Sequence, residues 1–109
     1  MNSSPGCLFM EEFSEYELFI LNKIAIKNRW CDKHISREDL LQGRKRSDLG
    51  FYGTAIDNLV KKGILKVYKA QGRDDYCLLK AHRELVISVL KENADRYNFI
   101  SSLHLERIR

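Results

Sequence analysis

The stretch Leu49–Leu79, LGFYGTAIDNLVKKGILKVYKAQGRDDYCLL, decides the fold. At about 100° per residue of helix, Tyr52, Ala55, Ile56, Leu59 and Val60 gather on one side and Thr54, Asp57, Asn58 and Lys61 on the other. One face is composed to pack and the other to meet solvent. Lys61 and Lys62 stand in the last turn, where positive charge complements the helix dipole. Gly63 follows where a left-handed cap residue is wanted, and Ile64 is placed to fold back on the helix. Leu65 and Val67 then alternate with Lys66 and Tyr68, Gln71-Gly72-Arg73-Asp74-Asp75 forms a polar connection, and Tyr76 and Leu78 alternate with Cys77 and Leu79. The spacing predicts a helix that feeds directly into a hairpin with a longer loop.

Upstream, Phe13-Ser14-Glu15-Tyr16-Glu17-Leu18 carries a full helix start. Ser14 is the N-cap, Glu17 completes a capping box, and Phe13 is placed to staple onto Leu18. The helix runs from Glu15 to about Asn28 and is apolar nearly all round, which predicts burial on two sides, either within its own domain or against a second subunit. Trp30–Ile35 has room for a turn and a short strand. Ser36 caps a short helix that Gly43 ends, and Arg44–Gly50 is a basic connection into the helix that follows. Residues 1–12 read as a tail, and 13–109 as one domain.

Past the hairpin, Leu85, Val86, Val89, Leu90, Tyr97, Ile100 and Leu103 recur at helical spacing with His82 and Asn93 among them. A helix taken to Leu103 exceeds about 30 Å at ~1.5 Å per residue, more than so small a domain covers. The expectation is a long C-terminal helix and a homodimer joined through Leu85, Val89, Asn93, Tyr97 and Ile100, with Asn93 fixing the register.

The 109 residues suit a single core, and 44% hydrophobic with 31% charged residues describe an ordinary globule. No apolar run approaches the ~20 residues that span a bilayer. The opening MNSSPGCLFM lacks the charged start and apolar stretch of a signal peptide, so the expected location is intracellular, with the three cysteines as free thiols. The net charge of +4 is unevenly placed: Met1–Asp32 carries −2, Lys33–Arg83 carries +6, and Glu84–Arg109 is neutral. The positive excess lies where a polyanion would be met.

The run NLVKKGILKVYKAQGRDDYCL resembles the second half of a winged helix-turn-helix domain, in which a helix closing on glycine and an aliphatic pair leads into the wing. The resemblance extends by order of elements from Phe13 to Asn98. It implies an α+β fold in the order α1-β1-α2-α3-β2-β3-α4, and double-stranded DNA as partner in a transcriptional regulator. RNA binding, or protein interaction as a subunit of a larger complex, are the alternatives that the same fold carries. Phosphate contacts are then expected from Arg44, Lys45, Arg46, Lys62, Lys69 and Arg73, since arginine offers a planar fork and lysine a point charge. Base contacts are expected from Ser47, Thr54, Asn58 and Lys61 in the major groove. Asp57 on the same face works against them.

Cys31-x2-His34 and Cys77-x4-His82 offer four zinc ligands but lack the dense cysteine spacing of structural zinc sites, so neither a metal nor another cofactor is expected. Glu11-Glu12 and Asp74-Asp75 are adjacent pairs that point apart. With no nucleophile motif or phosphate loop, the chain reads as a non-enzyme, and no effector ligand is legible.

Overall fold

A computed structural model describes residues 13–31 and 33–101. The first helix, α1 (Glu15–Ile26), begins as its sequence dictates: the Glu17 amide donates to Ser14 Oγ at 3.1 Å, and the Ser14 amide to Glu17 Oε1 at 2.8 Å. It ends two residues short of the expected Asn28, which takes a left-handed φ of 54° and turns the chain away. Ile35 and Ser36 form β1, and Ser36 also caps α2 (Arg37–Leu41) by accepting from the Asp39 amide.

Arg46–Asp48 makes one 3-10 turn before α3 (Leu49–Lys61). The stop after α3 is a Schellman closure, with Ile64 N–H donating to the Leu59 carbonyl at 3.1 Å and Gly63 N–H to that of Val60 at 3.0 Å. The φ of +78° at Gly63 explains why glycine stands there. Ile64, next in the chain, folds back and is buried.

The hairpin of β2 (Leu65–Ala70) and β3 (Arg73–Leu78) is tighter than its polar connection suggests. Ala70 pairs with Arg73, so only Gln71 and Gly72 form the loop, both at positive φ (52° and 80°). Two such residues match the right-handed twist of the strands, and the ladder therefore continues through Asp74 and Asp75. The expected longer loop is corrected on that ground. β1 pairs with β3 through Ile35–Tyr76 and Ser36–Asp75, giving a three-stranded antiparallel sheet in the order β1-β3-β2.

Tyr76 and Leu78 of β3 join the core. Cys77 points the other way yet is 0% exposed, because the chain leaving α1 crosses that side and Cys31 is joined to Cys77 by a disulfide. The expectation of three free thiols is thereby corrected for two of them; Cys7 lies outside the described residues. Both sulfurs are spent on each other and cannot serve as zinc thiolates.

A second 3-10 turn, Lys80–His82, precedes α4 (Arg83–Asn93). The long C-terminal helix is corrected here. α4 has 11 residues, about 16 Å. The chain turns at 94–96 and again at 98–99, so that Ile100 comes back into the core at 4% exposure and the Phe99 carbonyl accepts from Asn22 Nδ2 at 2.9 Å. Val89 is buried in the same core, and Leu85 packs at its edge. Asn93 Nδ2 donates to the Val89 carbonyl one turn back, at 2.9 Å. Tyr97 stacks on Phe99. The stripe that pointed to a homodimer is taken up largely within the chain; its last member, Leu103, lies outside the described residues.

The burial of α1 on two sides is met in the same way, by α3 on one flank and by α4 and β3 on others. The result is an α+β globule with four α-helices among the described residues. None of those helices is long and apolar enough to cross a membrane.

Candidate nucleic-acid interface

On α3, Gly53, Ala55, Ile56 and Leu59 are buried and Tyr52 and Val60 partly so, as the periodicity requires. Thr54, Asp57 and Lys61 are exposed and Asn58 is half-buried. Asp57 is not left as a bare negative charge on this face. Arg37, at the start of α2, donates through Nη1 to Asp57 Oδ1 at 3.2 Å and to the Tyr76 hydroxyl at 2.8 Å, and through Nη2 to the Gly53 carbonyl at 3.3 Å. Partial burial alone would disfavour the charge of Arg37, but the hydrogen bonds to Tyr76 and Asp57 outweigh it and raise its pKa. One guanidinium thus ties α2, α3 and β3 together and offsets the charge of Asp57.

The basic residues expected on phosphates divide into two groups. Lys62 Nζ lies 3.0 Å from the buried Glu17 carboxylate and 4.5 Å from the Phe13 ring centroid, which commits it to holding α3 against α1. Arg73 pairs with Asp75 on its own strand, Nε to Oδ1 at 3.1 Å. Arg44 lays its guanidinium over the Phe19 ring at 4.2 Å, with Tyr52 beyond at 5.6 Å. Each of these three makes a contact within the protein. Lys45, Arg46 and Ser47 are exposed immediately before α3, Lys61 is exposed in its last turn, and Lys69 is exposed near the hairpin turn. Among the described residues no ion pair engages those four cations.

Lys23 Nζ sits 3.5 Å from the Leu40 and Gln42 carbonyls at the end of α2, and its pKa is lowered, first by burial and then by the charges of Lys27 and Arg44. On the sheet, His34 stacks on Tyr68 at 4.0 Å, with Lys66 above the same tyrosine at 5.0 Å.

Two residues of this region, Arg37 and Phe51, lie outside the expected contacts. Arg37 looked like an ordinary helix-start residue, and nothing local shows that Tyr76, 39 residues away, will meet it. Phe51 was the other: it is 57% exposed and stacks at 5.2 Å and 17° on Tyr16. Its signal was present, because positions 51, 54, 58 and 61 share one helical stripe. Compared with protein families, with curated proteins and with solved structures, the chain matches none.

Proposed function

We propose that the chain is a winged helix-turn-helix DNA-binding protein acting in transcriptional regulation, with α3 in the major groove and the β2–β3 hairpin as its wing. The observation that carries this is the partition of charge. Asp57 on the outward face of α3 is paired with Arg37, while Lys45, Arg46, Lys61 and Lys69 stand exposed before the helix, at its end and on the hairpin. The element order, with β3 between β1 and β2, supports the same reading. Phosphates are held by those four cations, and Ser47, Thr54 and Asn58 face the bases, because backbone contacts position and base contacts specify.

The test is binding to mixed duplex DNA at several salt concentrations. With about four phosphates neutralised, log K is expected to fall against log[salt] with a slope of about −3 to −4. Reversing charge at Lys45 and Arg46 together should remove about half of that slope. A slope near zero favours the second reading, a protein-interaction module, for which the exposed Phe51 ring on Tyr16 is the specific support. Duplex RNA as competitor separates the remaining alternative.

A further inference from the structure

Phe51 is a large apolar ring presented at the start of α3, at the head of the stripe that continues through Thr54, Asn58 and Lys61. Its surroundings make it a fixed feature. The Tyr16 ring lies nearly parallel to it, and Tyr16 is itself held edge-on by Tyr52 at 5.0 Å, which packs in turn on Phe19. The ring is nevertheless open to solvent, at 57% exposure, and Gly50 beside it carries no side chain.

We infer that Phe51 is a specificity residue that reads the C5-methyl group of thymine in duplex DNA; this rests on the DNA-binding function proposed above. Three properties lead to that ligand. A phenyl ring has no hydrogen-bond donor or acceptor, so among base-pair features in the major groove it can recognise only the apolar one, the thymine methyl. One of its faces is already covered by Tyr16, so it cannot slide between two bases as a wedge, which requires both faces. Its neighbours along the stripe divide the work: Thr54, exposed one turn on, adds a methyl of its own, Asn58 brings the side-chain amide suited to an adenine edge, and Lys61 at the far end holds phosphate. The target is therefore a site with thymine opposite the first turn of α3 and an adenine-edge contact further along it.

The experiment starts by selecting duplexes from a randomised pool with the full chain, then replaces each thymine of the selected site by uracil, which pairs identically but lacks the methyl. Burial of one methyl corresponds to about a fourfold change in affinity. At one or two positions the uracil duplex is expected to bind about fourfold more weakly than the thymine duplex. In Phe51→Ala the two duplexes should bind alike, and Phe51→Leu should restore most of the difference. Circular-dichroism melting of both variants checks that this exposed position leaves the fold intact. Equal binding of thymine and uracil duplexes by the wild-type chain, with the salt slope of about −3 to −4 present, overturns the inference and leaves the DNA-binding function standing. So does a thymine preference that survives in Phe51→Ala. A salt slope near zero overturns that function and the inference with it.

Discussion

Two regions lean on α1 from different sides, and they are held by different means. The hairpin side is tied covalently, through Cys31 and Cys77, and by Lys62 of the α3 cap on Glu17. The C-terminal side, from α4 through Ile100, is held by apolar burial and by the bond from Asn22 to the Phe99 carbonyl. Both sides carry apolar residues at regular spacing, yet one leaves a polar, cationic face outward and the other doubles back on itself. Periodicity tells which side of an element is apolar; it does not tell what covers that side.

The largest expected effect breaks the C-terminal attachment. Val89→Asp with Ile100→Asp places two carboxylates in this chain's own core, and the cost of burying unpaired charge exceeds the ~5–15 kcal/mol that a small domain has in hand. The expected outcome is loss of the folded state, read as loss of helicity by circular dichroism. Retained helicity with halved mass in sedimentation would instead place those residues between two copies. The wild-type chain is expected to sediment near 12.8 kDa.

Next comes the covalent attachment. The disulfide joins residues 46 apart, and closing a loop of that length restrains the unfolded chain by about 4 kcal/mol. Urea unfolding with and without a thiol reductant measures it. A midpoint indifferent to reductant would show that the hairpin side is held by packing alone, as the C-terminal side is.

A smaller effect is expected at the polar tie between α1 and the α3 cap. Glu17→Ala removes both the return bond of the capping box and the partner of Lys62, and should cost about 2 kcal/mol in thermal or urea unfolding. Lys62→Ala should destabilise by about 1 kcal/mol, and its salt slope for duplex DNA should match that of the wild type. A slope reduced by about one would return Lys62 to the phosphate contacts.

The smallest effect on stability belongs to the cations on the outward face. Lys45→Ala and Arg46→Ala are expected to change unfolding by no more than about 0.5 kcal/mol, because neither side chain has a partner among the described residues. Each should lower the salt slope by about one. Stability and binding would then separate cleanly between Lys62 and Arg44 on one hand and Lys45 and Arg46 on the other, although all four are basic residues within nineteen positions of sequence.

What the sequence determined by itself is local. The capping box of Ser14 and Glu17, the Ser36 cap, the Gly63 closure and the inward residues of α3 all involve groups a few positions apart, and there backbone geometry alone decides who meets whom. Even the candidate interface was legible to that extent, in the outward stripe of Thr54, Asn58 and Lys61. Only the tertiary structure decided which cations are spent and which remain. Arg37 meets Tyr76 across 39 residues, Lys62 meets Glu17 across 45, Cys31 meets Cys77 across 46, and Asn22 meets Phe99 across 77. Such encounters depend on the path of the whole chain: a turn at Asn28, a two-residue hairpin at Gln71-Gly72 and a reversal after Asn93. A charged or apolar residue has the same chemistry on either side of such a turn, and it is the turn that assigns it a partner or leaves it facing solvent.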